Sequence, residues 1–231
     1  DKEFKWKGIY VNSNSVKDDF SVLNNVNISN YTYFDNEKIQ LTGGINFINS
    51  KINIFNSNIS GSFAEDAINL VNTDFKVFNT IVQNSISDGI DVDFGNGEIT
   101  NSKFNNIEGD AIDLSGSFVN IENVSINNIG DKAISAGEET TAKINRLYIS
   151  SSRIGIASKD SSIVTGSNVE ILDCGLFDFT AYQKKSYFTG AFLKIDTISN
   201  CNKSLVQHGS KLIINNKIIA KEKLNIKNLF E

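Results

Sequence analysis

Short apolar segments return every 22 or 23 residues over most of this chain, and that period constrains its fold more than any other feature. The segments Gly-Ile-Tyr-Val, Gly-Ile-Asn-Phe, Ala-Ile-Asn-Leu, Gly-Ile-Asp-Val, Ala-Ile-Asp-Leu, Ala-Ile-Ser-Ala and Gly-Ile-Ala-Ser align on Ile9, Ile45, Ile68, Ile90, Ile112, Ile134 and Ile156. Phe179 and Leu205 continue the row, and the successive intervals are 36, 23, 22, 22, 22, 22, 23 and 26 residues. The long first interval is assigned to a polar insertion around Tyr31 to Lys38. A second column keeps the same phase at Asn56, Asn79, Asn101, Asn123, Asn145 and Asn168. One asparagine per repeat beside alternating apolar residues reads as an inward turn residue. Its amide would bond the next copy, at roughly 1 kcal/mol per bond.

Within one repeat, Ile112 and Leu114, Val119 and Ile121, then Val124 and Ile126 alternate with small or polar residues, the period of a strand. No capping box leads into a helical run, and Gly, Ser and Asn interrupt every few residues. A unit this small cannot bury its own inner face. It does so by stacking, each strand parallel to its equivalents about 4.8 Å above and below. The expected fold is all-β, a right-handed parallel β-helix solenoid of about nine coils, one domain over residues 1–231. Asn and Ile at 32 residues each, with no Pro, suit short strands and tight turns. Residues 211–231 are expected to cap the stack. Trp6 would cover the first coil's core or, if exposed, stack on a sugar. Cys174 and Cys201 would be neighbours on successive coils, either as a disulfide or as two buried thiols.

Several functions are disfavoured. No apolar run approaches the roughly 18 residues of a membrane span. A net charge of −5 with two arginines lacks the footprint of a nucleic-acid binder. Two cysteines make neither a disulfide-rich scaffold nor a four-cysteine zinc site. No threonine column recurs at 22 residues, which argues against an ice-binding face. A chain opening at Asp1 without Met or a leader pattern is expected to be a piece of a longer extracellular or cell-surface protein with flanking domains.

The position two before the key isoleucine reads Asp66, Asp88, Asp110 and then Lys132. In-register stacking puts these in a line about one strand spacing apart. Outward positions on the following strand add Asp91, Asp93, Asp113, Ser115, Ser135, Lys159, Tyr182 and His208, with Glu138, Asp160, Lys184 and Lys185 in the turns beyond. Stacked like charges repel and raise one another's pKa unless something intervenes. A bound Ca²⁺ held by Asp91, Asp93 and Asp113 with Asp88 and Asp110 would relieve this, as would a Lys132–Asp110 pair or one protonated acid.

Each device also suits chemistry on a polysaccharide. A lysine of lowered pKa, Lys132 or Lys159, would remove the proton next to a uronate carboxylate while a cation neutralises that carboxylate. Asp88 and Asp110 complete the expected catalytic set. Ser115, Ser135, Glu138, Tyr182, Lys184 and His208 would contact substrate. A non-catalytic carbohydrate-binding or structural module is the alternative, with Asp66, Asp88, Asp110 and Asp131 forming a turn ladder bonded to backbone amides.

The runs Ser-Asp-Gly-Ile-Asp-Val-Asp-Phe, Gly-Asp-Ala-Ile-Asp-Leu-Ser-Gly-Ser and Gly-Asp-Lys-Ala-Ile-Ser-Ala-Gly-Glu carry a family likeness. They resemble single-stranded right-handed β-helix proteins of the pectate-lyase-like superfamily, in particular bacterial right-handed β-helix repeat proteins. The resemblance spans Ala67 to Gly209 and implies the solenoid. Against polygalacturonase-type hydrolases, Asp88 and Asp110 match two aspartates and would divide acid and base roles. Gly109 replaces an acid there, Lys132 replaces a histidine, and neither Arg146 nor Arg153 supplies an Arg-x-Lys pair. A lyase or epimerase type is the closer expectation.

Overall fold

The computed structural model describes residues 5–13, 20–35, 41–199 and 203–223. Three short strands separated by tight corners make each turn, as in Asp66–Val71, Asp74–Phe78 and Ile81–Ser85, followed one turn later by Asp88–Asp93, Asn96–Thr100 and Lys103–Ile107. Each strand pairs parallel with its equivalent: Ile68 opposite Ile90, Phe75 opposite Gly97, Val82 opposite Phe104. Farther on, Phe118–Gly137, Thr141–Lys159 and Ile163–Tyr182 each run through all three faces. The described residues contain no helix, and the coils form a parallel β-solenoid of about eight turns. The rungs of the first face, from Ile9–Asn12 to Ser204–Val206, bracket those turns.

Ile45, Ile68, Ile90, Ile112, Ile134, Ile156 and Phe179 stack in one column with no solvent exposure. Each such side chain stabilises the stack by about 1.5–3 kcal/mol through removal of apolar surface from water. One core runs from Ile28 to Ile214.

Some expectations change in detail. Phe179 pairs with Ser204, so Leu205 sits one residue past the end of the key row, opposite Thr180. The extra residues of the first interval fall in two places in the sequence, between the strands Ile9–Asn12 and Ser21–Asn24 and between Asn27–Tyr31 and Gly43–Ile48. Tyr31 itself is fully buried, its hydroxyl donating to the Ala67 carbonyl at 3.2 Å. Trp6 packs on Tyr31 with ring centroids 6.0 Å apart, leaving its own ring partly exposed.

The asparagine column faces outward rather than inward. Asn56, Asn79, Asn101, Asn123 and Asn168 occupy left-handed corners, with φ of 51°, 48°, 51°, 54° and 54°. Asparagine tolerates that region better than other side-bearing residues. Arg146 (φ 54°), not Asn145, takes the corner in its coil. The amides form an exposed ladder, Asn79 donating to Asn56 at 2.8 Å and Asn123 to Asn101 at 2.6 Å. Two further corners carry ladders, as in Asn72 to Asn49 at 2.8 Å and Asn128 to Asn106 at 2.9 Å. Hydroxyls take the inward role. The Gly95 amide donates to Ser117 Oγ (2.9 Å), Ser117's to Thr140 Oγ1 (3.2 Å), and Thr140's to Ser162 Oγ (3.1 Å). These bonds satisfy corner amides that the apolar interior would otherwise orphan.

At the far end Lys211–Ile214 adds a parallel rung to Phe192–Thr197, and Lys217–Ile218 folds back antiparallel upon it. Residues 224–231 and Cys201 lie outside the described residues, so the Cys174–Cys201 pair is not described. Cys174 is buried with its Sγ 3.2 Å from Ser152 Oγ.

Candidate functional site

Asp88 opens one strand of the first face, Asp88–Asp93, and Asp110 stands two residues before the next, Ile112–Ser115, where the chain enters from the third corner. Each carboxylate reaches forward one rung: Asp88 Oδ1 accepts the Asp110 amide at 2.7 Å, and Asp110 Oδ1 accepts the Lys132 amide at 2.8 Å. The absence of a side chain at Gly109 makes room for the first of these, since a Cβ there would lie 2.0 Å from Asp88 Oδ1. Asp88 and Asp110 thus serve both the turn ladder and the acidic patch. The Asp88 amide, however, goes to the Glu65 carbonyl rather than to Asp66, and Asp131 pairs with the Lys132 and Arg153 side chains.

Beside this column runs a second, Asn69, Asp91, Asp113 and Ser135, then a third, Val71, Asp93, Ser115 and Gly137. Carboxylate oxygens of Asp88, Asp110 and Asp113 all lie within 4.8 Å of one another. Burial pushes Asp91 up to about 9, with Asp66, Asp93, Asp113 and Asp88 adding to it. Burial, then Asp110, pushes Asp88 up to about 7, and burial raises Asp66 to about 6. Asp93 and Asp110 also lie above the ordinary carboxylate range, again chiefly through burial; at Asp110 burial outweighs the opposing Lys132 charge.

Lys132 Nζ lies 3.2 Å from Asp110 Oδ1 and bonds Asp131, which Arg153 also meets at 3.4 Å. Burial alone would depress the lysine, but Asp110 and Asp131 outweigh it and hold it above its usual value. The lowered pKa expected of a lysine base is thus reversed at Lys132, which is a fixed cation. Lys159 Nζ reaches within 3.9 Å of Asp113. Its stem lies across Gly137, where a Cβ would come 3.3 Å from Lys159 Cε.

Other expected residues divide. Glu138 pairs with Lys185 at the rim. Lys184 contributes its backbone amide, 2.6 Å from Asp160 Oδ1, while its side chain is exposed. Ser115 is half-buried in the rung after Asp93. Tyr182 is only 1% exposed, clustered with Ile154 and Ala157 under Leu176 and Phe177, and presents no ring to a sugar. His208 lies in an exposed turn with its amide on the Glu222 carbonyl, off the acidic columns. The one-residue slip at Ser204 moves it there.

Three buried oxygens flank the cluster without a hydrogen-bond partner among the described residues: Asp66 Oδ2, Asn69 Oδ1 and Ser135 Oγ. Buried polar atoms are seldom left so. Asn69 was not singled out from the sequence, although it shares a column with Asp91. A calcium ion takes six to eight oxygens at about 2.3–2.6 Å, so two ligands on opposite sides stand about 5 Å apart. The spacing of the Asp88, Asp110 and Asp113 oxygens and this all-oxygen donor set fit such an ion. No protein-family model matches this chain, and no curated protein or solved structure matches it.

Proposed function

We propose that the acidic end of the first face binds Ca²⁺ and, through it, an acidic polysaccharide. The carrying observation is the set of carboxylate oxygens of Asp88, Asp110 and Asp113 within 4.8 Å of one another. Asp91 and Asp93 stand in the adjacent columns and extend the donor set. The bound cation would neutralise a uronate carboxylate, and Lys132 and Lys159 supply further positive charge beside it. The likeness of the repeats to pectate-lyase-like β-helix proteins agrees with such a ligand and with an extracellular or surface location.

A lyase or epimerase is the second reading, favoured by one observation: the Lys159 ammonium lies 3.9 Å from Asp113, beside the cluster rather than locked between two acids as Lys132 is. In its neutral amine form, Lys159 would accept the proton from the carbon next to the uronate carboxylate. In a lyase, the electron pair left behind forms a double bond as the glycosidic C–O bond breaks, and the leaving oxygen takes a proton from water.

Thermal melting and titration calorimetry with Ca²⁺ and with polygalacturonate or alginate oligomers test both readings. Ca²⁺ should raise the melting temperature, glycan binding should require it, and Asp113→Asn should abolish both effects. Identical melting curves in Ca²⁺ and in chelator would refute the cation site. Ultraviolet absorbance from unsaturated uronides, lost in Lys159→Ala with the Ca²⁺ response retained, would establish the lyase; no absorbance leaves a binding module.

A further inference from the structure

Next to Asp93, where the first face ends, stands Phe94. It occupies a corner position held in neighbouring coils by Asn49, Asn72 and Gly116, with φ of 55°. The left-handed region is unfavourable for a bulky side chain. Phe94 is also 64% exposed. An asparagine here would avoid both costs and could extend the amide ladder in which Asn72 Nδ2 donates to Asn49 Oδ1 at 2.8 Å. Backbone register is kept, since the Phe94 amide donates to the Ser115 carbonyl at 2.8 Å.

The ring has a prepared seat. A Cβ on Gly116 would lie 2.7 Å from Phe94 Cδ1, so glycine leaves the space the ring uses. On its other side Phe94 helps line a cavity of about 140 Å³ with Asn49, Asn72, Lys51, Asp74 and Asn96. An apolar cavity of about 150 Å³ holds one six-membered ring. Here the lining is mixed: the Phe94 ring, the amides of Asn49, Asn72 and Asn96, and a Lys51–Asp74 pair at 3.8 Å. That combination suits a ring with one apolar C–H face and a hydroxyl-bearing edge. The C–H face lies on the negative face of the aromatic ring, and hydroxyls exchange hydrogen bonds with the amides.

We infer that this corner pocket is a sugar subsite, taking one pyranose of an acidic glycan whose neighbouring residue lies on the Asp93 side, with Phe94 as its stacking platform. The inference rests on the reading that the first face binds acidic polysaccharide. Phe94→Asn and Phe94→Tyr are compared with wild type and Asp113→Asn for binding to polygalacturonate and alginate oligomers in Ca²⁺, alongside thermal melting. Phe94→Asn should melt no lower than wild type and keep its Ca²⁺ response, yet bind oligomers about tenfold more weakly. Phe94→Tyr, which keeps the ring, should bind as wild type. Wild-type affinity in Phe94→Asn, with binding lost only in Asp113→Asn, would overturn the subsite and leave the acidic-face reading standing. Failure of wild type to bind either oligomer would overturn both.

Discussion

At Asp91, burial and the neighbouring Asp66, Asp93, Asp113 and Asp88 raise the carboxyl pKa to about 9. Asp88 at about 7 and Asp66 at about 6 are raised chiefly by the same loss of water. An unfolded aspartate titrates near 4, so the folded chain binds more protons than the unfolded one between these limits. The resulting stability is full below about pH 4 and is lost as pH rises through the folded values of about 6, 7 and 9. Without Ca²⁺, the melting temperature should therefore be roughly 5 °C higher at about pH 5 than at about pH 8.5. Saturating Ca²⁺ should flatten that slope, because a cation favours the ionised acids. Circular dichroism melts across this range check it; a melting temperature that rises with pH in chelator would remove the protonated-acid picture. The residue types of this patch were legible in the sequence. Their protonation was not, because it follows from burial and from distances between rungs.

At the scale of a single corner, the ladder asparagines do two things: they accept a left-handed backbone and they bond the next coil. Asn123→Ala loses both and should cost about 1–2 kcal/mol. Asn123→Gly keeps the backbone freedom and should cost about half as much. Equal costs in urea denaturation would show that the corner conformation contributes nothing. The phase of this column could be counted from sequence, but its direction could not. A left-handed residue interrupts the in-and-out alternation of the strands, so inward and outward cannot be carried across it. The same break hid Ser117, Thr140 and Ser162, whose hydroxyls serve the corner amides from inside. Arg146 displaced Asn145 from its corner for a related reason: the aligned asparagine is one residue short of the bend.

For the whole molecule, each coil contacts its neighbours in the same register, so stability should be close to a sum over coils and their interfaces. Excising Phe75 to Asn96, 22 residues, joins Asp74 to Gly97 with the register preserved. The shortened chain should stay folded and all-β by circular dichroism while losing its Ca²⁺ response, because Asp88, Asp91 and Asp93 go with the coil. An aggregated or unfolded product would count against interchangeable coils. The last turn shows where counting fails at this scale. Between Phe179 and Leu205 the chain carries the long corner of residues 183–191, and the pairing places Ser204, not Leu205, beside Phe179. A slip of one residue exchanges the two faces of a strand, which is why His208 falls off the acidic columns.

The repeat by itself determined that this chain is a parallel stack, because a 22-residue unit of three short strands can bury its apolar face only against copies of itself. It also placed Asp88, Asp110, Asp113 and Lys159 on one face, because equal spacing becomes vertical alignment once the coils stack. Only the tertiary structure decided what those groups are to one another. Lys132 became a fixed cation between Asp110 and Asp131, Lys159 lay back over Gly137 toward Asp113, and Tyr182 was sealed under Leu176 and Phe177. Charge state and access depend on side-chain paths through three dimensions, which a linear period does not encode.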